Sequence, residues 1–420
     1  MIDLDRPVRD RLLLRTVPGA VDYLFEELRQ QPAVTVIGRR RDGIVIELDG
    51  PLRALADNRY FSTAAVLPDD TDRHSRPTGP DRDGAGPNRP VDAPGPATGE
   101  VPDHPDSGRP NAWAGSAAPT GSDSGEPSTT NTGPSDRSDP IPGAGSTNES
   151  IKTTSGPARN GDPDRLVAGL RHSADTGVLS LLPGPLRFRV GDLGDARWPI
   201  RDRLTATGWH NTPHDWDINL EPDPAGPLAE IGALHWTRRF GKLLRAPAST
   251  TPVIAAVMTR LAKIEPGHTV LDPFCGAGTL LVSAADTARP ARLLGSDHTH
   301  RWITATDDNL ADRHPNRLLW RGDARYLPLP DDSVDRVVAN LPFGKRVGSH
   351  LGNRQLYPAA LAEIARVLTR RGRAVLLTED KRLFTQTVQR TRGIRVIKEI
   401  VFATGGAHPS AYVVATRRGR

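Results

Sequence analysis

Three aspartates and one asparagine in the second half of the chain each follow a short apolar run. They are Asp272, Asp297, Asp323 and Asn340. Short apolar runs bounded by glycine and polar residues are typical of buried strands, so each side chain is expected at the carboxyl end of a strand. One carboxylate there can accept both hydroxyls of a ribose, and another can accept from an adenine amino group. The pattern predicts a pocket for an adenosine that carries a positive charge.

The segment from Asp272 to Gly278 reads DPFCGAG, a loop between a strand and a helix. Gly276 and Gly278 allow the backbone to approach a ligand closely at the N-terminus of that helix. The dinucleotide motif needs a further glycine at position 281, which is Leu281 here, and Asp272 would repel a pyrophosphate. The loop therefore favours a cationic ligand. A carboxylate that only caps the loop is the alternative role for Asp272.

The fourth polar strand end reads Asn340-Leu341-Pro342-Phe343-Gly344. The Asn340 side-chain carbonyl and the backbone carbonyl of Leu341 can accept both hydrogens of an exocyclic amino group, and Phe343 can stack on the base. The alternative is a turn built by Asn, Pro and Gly without a chemical role. Because three acids share the same predicted edge, we interpret the string as the site where an amino group reacts.

Strand-like runs and helical periodicities alternate from residue 246 to residue 420. This alternation predicts an α/β fold, a Rossmann-like doubly wound sheet of seven strands with an antiparallel last pair. Ligands of such sheets bind beyond the carboxyl ends of the strands, where the polar residues gather. Residues 246–420 are therefore predicted to form the catalytic domain.

Composition and charge divide the rest of the chain. Residues 68–164 hold 17 Pro and 14 Gly, few aliphatic residues and a net charge of −8, so we predict a disordered insertion. The remaining residues carry a net charge of +13, which favours a polyanionic partner such as nucleic acid. A single cysteine excludes a cysteine-based zinc cluster, and no apolar run is long enough to cross a membrane. We expect a cytoplasmic protein that uses no metal and contacts no membrane.

Two further segments flank the insertion. Residues 1–67 show a strand, a Pro18-Gly19 turn, a helix and two strands, which predicts an α+β, ferredoxin-like unit. Residues 165–245 show a strand, a helix and two more strands. We expect these two segments to pack together while the insertion loops out between them.

The strings DPFCGAGTLL, GSD, GDA and NLPFG, in this order, resemble the class I S-adenosylmethionine-dependent methyltransferases that act on amino groups. RAPASTTPVIAAVMTRLA before them and LLLRTVPGAVDYLFEEL near the start are similar to the THUMP-domain RNA methyltransferases that make N2-methylguanosine in tRNA. The resemblance implies S-adenosylmethionine as the cofactor and RNA, above all tRNA, as the partner. It also implies that residues 165–245 form a THUMP-like RNA-binding domain.

The resemblance assigns a set of cofactor-binding residues. They are Asp272, Phe274, Gly276, Gly278, Thr279, Asp297, Asp323, Ala324 and Asn340. Asp272 and the two glycines would surround the methionine part of the cofactor. Asp297 would hold the ribose, and Asp323 the adenine.

The resemblance also assigns catalytic residues. Asn340 and Phe343 would hold and stack the target base, and Pro342 would rigidify the turn between them. Lys345 and Arg346 would bind RNA phosphate, or form a merely solvated basic pair. Other amino-group substrates stay open at this point: ribosomal RNA, DNA or a protein glutamine. A tRNA-binding protein that has lost methyl transfer is the alternative of a different class.

Overall fold

The computed structural model describes residues 3–67, 162–224, 226–343 and 350–417, and all of them belong to one compact unit. The predicted insertion, residues 68–164, lies outside the described residues except for its last three positions. Lys345 and Arg346 also lie outside them. Among the described helices, none is long and apolar enough to cross a membrane.

The first part of the chain forms one sheet of eight strands from two segments that are far apart in sequence. Its elements are β1 (Pro7–Arg15), α1 (Val21–Leu28), β2 (Val34–Arg40), β3 (Gly43–Pro51), α2 (Arg53–Ala56), β4 (Thr63–Val66), α3 (Pro163–Asp175), β5 (Arg187–Val190), α4 (Arg197–Ala206), β6 (His210–Asn211), β7 (Ile218–Glu221), β8 (Leu228–Ile231) and α5 (Trp236–Phe240). The strand order is β2-β3-β1-β4-β8-β7-β5-β6.

The two flanking segments are joined through this sheet. Strand β4 pairs with β8 in antiparallel register, with Ala65 opposite Glu230 and Val66 opposite Ala229. Residues 1–67 and 165–245 therefore contribute strands to the same layer. Helix α3 already begins at Pro163, where the Asp162 side chain accepts from the Asp164 N–H, so this helix starts two residues before the predicted boundary.

The second part of the chain forms a sheet of seven strands. Its elements are α6 (Pro252–Ala262), β9 (Thr269–Asp272), α7 (Thr279–Ala288), β10 (Arg292–Asp297), α8 (His300–Leu310), β11 (Arg317–Arg321), β12 (Val334–Asn340), α9 (His350–Val367), β13 (Leu368–Thr378), α10 (Lys381–Arg390), β14 (Ile394–Val401) and β15 (Ser410–Thr416). The order is β11-β10-β9-β12-β13-β15-β14. Strand β15 is antiparallel to both of its neighbours, and the other pairings are parallel. The predicted doubly wound α/β fold is confirmed.

Alternating side chains of the central strands bury both faces of this sheet. Val270 of β9 packs into the cluster formed with α6 and α7, and the next residue, Leu271, packs into the cluster formed with α9 and α10. In β12, Val338 packs into the first of these clusters and Val337 packs into the second. A strand covered on both faces must be apolar at successive positions, which explains the continuous apolar runs in the sequence. The carboxyl ends of these strands are thereby held at one edge.

The Pro18-Gly19 turn of the first part lies against the end of β14 in the second part. The Ala403 N–H donates to the Pro18 carbonyl at 3.2 Å. A Cβ atom at Gly19, whose φ is +95°, would lie 2.2 Å from the Val401 carbonyl oxygen. Only glycine combines that backbone with so close an approach. The turn therefore supports the chain just before residues 404–407, which border the cleft described next.

Candidate active site

A cleft of about 1010 Å³ opens at the carboxyl ends of β9, β10, β11 and β12. The loop at residues 246–251, the start of α9 and the turn at residues 404–407 complete its walls. The predicted site residues that line it are Asp272, Phe274, Gly276, Thr279, Asp297, Asp323, Ala324, Asn340, Pro342 and Phe343. Gly278 lies behind this wall, where a Cβ atom would come within 2.7 Å of the Thr306 side chain on α8. Its requirement for glycine therefore arises from helix packing and from a φ of +80°.

The glycine loop is held by the carboxylates on either side of it. Asp272 Oδ1 accepts from the Phe274 N–H at 3.0 Å, and Asp297 Oδ2 accepts from the Gly276 N–H at 3.1 Å. The Gly276 carbonyl in turn accepts from the Thr306 hydroxyl at 2.7 Å. The loop thus has a fixed shape before any ligand enters, which lowers the ordering cost of binding.

Asp272 is fully buried, and burial raises the pKa of its carboxyl group well above the ordinary value. The nearby charge of Asp297 acts in the same direction. A buried carboxylate without a cationic partner is unfavourable, and a positively charged ligand in the cleft would relieve that penalty. The charge arrangement therefore suits a cation bound beside the glycine loop.

Asp297 stands at the end of β10 and is 9% exposed toward the cleft. Its Oδ1 accepts from the Thr299 N–H at 2.8 Å, and the His298 ring nitrogen lies 3.3 Å from the same oxygen. Each carboxylate oxygen has two lone pairs, so both oxygens keep capacity for a ligand hydroxyl. The residue therefore shapes the loop and remains able to accept from a ribose.

Asp323 at the end of β11 is engaged by an arginine that sequence reasoning missed. Arg325 Nε and Nη2 donate to Asp323 Oδ2 at 2.9 and 2.7 Å, and this pairing lowers the pKa of the carboxyl. Arg325 also lines the cleft. A base amino group bound at Asp323 would therefore share the carboxylate with this guanidinium. In the sequence, the pair could have been suspected from the spacing of two positions between the aspartate and the arginine.

Asn340 at the end of β12 has its amide fixed in one orientation. Its Nδ2 donates to the Ala248 carbonyl at 3.1 Å, and Ala248 has a left-handed φ of +61°. The Asn340 Oδ1 atom is buried and has no hydrogen-bond partner among the described residues. A buried acceptor without a partner is costly, so a ligand donor in the cleft could satisfy it.

The Pro342 carbonyl is anchored from α9. Asn353 Nδ2 donates to it at 2.7 Å and the Tyr357 hydroxyl at 2.8 Å. The Tyr357 hydroxyl also lies 2.8 Å from the Thr378 hydroxyl, and burial raises the pKa of Tyr357. Phe343, the next residue, is half-buried and lines the cleft. Sequence reasoning missed both anchors, because Asn353 and Tyr357 carry no motif and act through the fold alone.

Residues 239–410 match the UPF0020 family, described as an RMKL-like methyltransferase domain. The tRNA (guanine(6)-N(2))-methyltransferase THUMP3 of Homo sapiens is 32% identical over 183 residues, covering 40% of this chain and 36% of that protein. The tRNA (guanine(6)-N2)-methyltransferase of Thermus thermophilus is 36% identical over 181 residues, covering 42% of this chain and 53% of that protein. The matches thus span about half or less of these relatives' lengths.

Two solved structures resemble nearly the whole chain. TrmN from Thermus thermophilus superposes with a TM-score of 0.58 at 20% identity, covering 97% of this chain and 99% of that one. A predicted N6-adenine-specific DNA methylase from Listeria monocytogenes superposes with a TM-score of 0.55 at 12% identity and covers 96% of both chains. At these identities the similarity establishes the fold.

Class I methyltransferases use S-adenosylmethionine as the methyl donor, and the residues of the cleft fit this cofactor. The buried Asp272 suits its positive charge, and Asp297 and Asp323 offer acceptors for its hydroxyl and amino groups. The buried acceptor of Asn340 then remains for a second molecule that brings a donor.

Proposed function

We propose that this chain, whose residues 239–410 form a methyltransferase domain of the UPF0020 family, methylates the exocyclic amino group N2 of guanine in tRNA. One observation carries the proposal. The Asn340 amide is held with its oxygen as a buried acceptor lacking a partner among the described residues, next to an aromatic ring at the cleft. That arrangement suits an amino group on a flat base better than a hydroxyl, a carbon nucleophile or a phosphate.

The chain's residues provide position and electrostatic stabilisation for the reaction. S-adenosylmethionine supplies an electrophilic methyl group when it is bound. Asn340 Oδ1 accepts a hydrogen from the target amine and orients the nitrogen lone pair, and this bond strengthens as the nitrogen gains positive charge. Phe343 stacks on the base, and holding the two reactants in line accounts for several kcal/mol of the barrier. If the guanine is paired, it must first be flipped out of the helix, at a cost of a few kcal/mol.

The names of the relatives support guanine N2 in tRNA as the target of this chain. The human and Thermus proteins are both named for guanine 6 of tRNA, so position 6 is the first target to test. We also propose that the eight-stranded first part of the chain is a THUMP-like module that binds tRNA. The net charge of +13 outside residues 68–164 supports a polyanionic partner. The site of action is then the cytoplasm, with no membrane and no metal involved.

The test is methyl transfer from labelled S-adenosylmethionine to unmodified tRNA, followed by mass spectrometry of the nucleosides. Wild-type protein should produce N2-methylguanosine. Asn340→Ala should lower single-turnover transfer on the order of 100-fold, the typical effect of losing one preorganised hydrogen bond. Cofactor affinity should change much less, because Asp272, Asp297 and Asp323 remain to hold the charge, the ribose and the adenine of the cofactor. Asn316→Ala, at an exposed asparagine in the loop before β11, is the matched control and should keep the wild-type rate.

Three results would contradict the proposal in different ways. Methylation of adenine, cytosine or a protein glutamine would assign the same mechanism to another substrate. A wild-type rate in the Asn340→Ala variant would show that the strand end is only a turn. Tight tRNA binding without any methyl transfer would identify a binding protein instead of an enzyme.

A further inference from the structure

A second cavity, a groove of about 930 Å³, runs between α9 and α10 outside the candidate active site. The charged residues along it are five arginines and one aspartate: Arg354, Arg366, Arg382, Arg390, Arg392 and Asp380. Ala362 and Ala365 form part of its floor, and their short side chains leave the space between the two helices open. We call this feature the arginine groove.

Four of the five arginines are available for an external anion. Arg354, Arg382, Arg390 and Arg392 are exposed, and none of the four forms an ion pair with another residue that the structure describes. Arg366 is the exception, because it pairs with Asp331 and Glu363. A guanidinium group binds a phosphate through two parallel hydrogen bonds, so an exposed row of them favours phosphate ligands.

The one acid of the groove is used locally. Asp380 Oδ1 accepts from the Leu383 N–H at 3.3 Å, so this carboxylate caps the N-terminus of α10. The four arginines without an ion pair to a described residue outnumber this single carboxylate, so the groove has an excess of positive charge.

The arginine groove lies directly beside the candidate active site. Asn353 and Gln355 of α9 line the cleft, whereas Arg354 and Pro358 of the same helix line the groove. The two cavities are thus separated by about the width of one helix, ~10 Å. Of these four arginines, Arg382 and Arg390 are separated by eight residues of α10, which is ~12 Å along an α-helix. Charges spread over this length suit a repeating polyanion better than a single small anion.

We propose that the arginine groove binds the phosphate backbone of the RNA next to the nucleotide that enters the active site. This inference rests on the proposed function, because it takes tRNA as the polyanion. When one base of an RNA strand enters the cleft, the neighbouring phosphates of that RNA must pass over the rim formed by the first turns of α9. The groove begins at that rim, so one bound strand can occupy both cavities. The methyltransferase domain thereby contributes to tRNA binding itself, in addition to the first part of the chain.

The test compares the full-length triple variant Arg354→Gln/Arg382→Gln/Arg390→Gln with wild type. Affinity for unmodified tRNA is measured by fluorescence anisotropy from 50 to 300 mM salt, and cofactor affinity is measured in parallel. Losing three phosphate contacts should lower the slope of log affinity against log salt by roughly two to three units, and the affinity at 0.1 M salt by at least about tenfold. The corresponding Arg→Lys triple variant keeps the charges and should recover most of the loss.

The matched control replaces three exposed arginines outside both cavities, Arg292, Arg370 and Arg371, by glutamine. It changes the net charge by the same amount and should leave the salt slope within one unit of wild type. Equal tRNA affinity and slope in the groove variant and wild type would overturn the proposal, as would equal losses in groove variant and control. Failure of the proposed function is a separate result, since wild-type protein would then make no N2-methylguanosine whatever the groove variant binds.

Discussion

The anchoring of the Pro342 carbonyl by α9 predicts that two residues of this helix control the rate of methyl transfer by positioning the strand end. Both lone pairs of this carbonyl are used, one by Asn353 and the other by Tyr357. Tyr357→Phe removes the bond to the Pro342 carbonyl and the contact with the Thr378 hydroxyl, and it should cost about 1–2 kcal/mol of stability. The rate should fall less than tenfold, because Asn353 still holds the carbonyl. Asn353→Ala should behave similarly.

The double variant Asn353→Ala/Tyr357→Phe leaves the buried carbonyl without either partner. The strand end is then free to shift, and a displacement of ~1 Å at a reacting group can cost on the order of 100-fold in rate. The rate loss should therefore exceed the product of the two single losses, with a coupling of roughly 0.5–3 kcal/mol.

The assay is single-turnover transfer to tRNA, with unfolding measured in urea. Tyr412→Phe removes another buried tyrosine hydroxyl of the same core, and as the control it should reduce stability without reducing the rate. A folded double variant that transfers methyl at the wild-type rate would refute the positioning role.

Two further predictions concern buried charges. Because burial raises the pKa of Asp272, its contribution to stability is present at low pH and is lost as the pH rises through the raised value. Asp272→Asn should therefore stabilise the ligand-free protein at neutral pH. In calorimetry, the affinity of wild-type protein for S-adenosylmethionine should rise with pH, and that of Asp272→Asn should not. S-adenosylhomocysteine, which lacks the sulfonium charge, should show a smaller rise with the wild-type protein. Asp286, 11% exposed, pairs with Arg59 at 3.0 Å and Arg313 at 2.7 Å, and so connects the two parts of the chain. Asp286→Ala should lower the free energy of unfolding in urea by roughly 3 kcal/mol, because it leaves two arginines unpaired. Asp307→Ala, in an exposed pair, should lower it by less than about 1 kcal/mol. Equal effects would show that burial of the Asp286 cluster contributes nothing to stability.

The strand ends could be predicted from the sequence because local rules fix them. Apolar runs such as the one before Asp272 are dictated by a sheet buried on both faces, and the polar residue that follows each run must then lie at the shared edge. Helix α8 gives no clear signal in the sequence, although it carries Thr306, because its polar composition hides the apolar face that packs on the sheet.

Two features could not be predicted from the sequence, the β4–β8 pairing and the groups that orient the site, because both depend on contacts between distant residues. The single eight-stranded sheet depends on β4 meeting β8 across more than 160 positions, and no local pattern encodes that pairing. The groups that orient the site are equally non-local. Ala248 holds the Asn340 amide and Tyr357 holds the Pro342 carbonyl, yet an alanine in a loop and a tyrosine on a helix have no chemical signature of their own.

The bond from Asn340 to the Ala248 carbonyl has a consequence for how such enzymes acquire new substrates. Ala248 belongs to the segment that links α5 of the first sheet to α6 of the second, so this linker forms part of the candidate active site. A recombination event that exchanged the first part of the chain at residue 252 would also replace this linker, and the new linker would have to bring a backbone carbonyl to the Asn340 amide again. We therefore expect related chains to retain the geometry of this linker and to change substrate preference by substitutions at the surface.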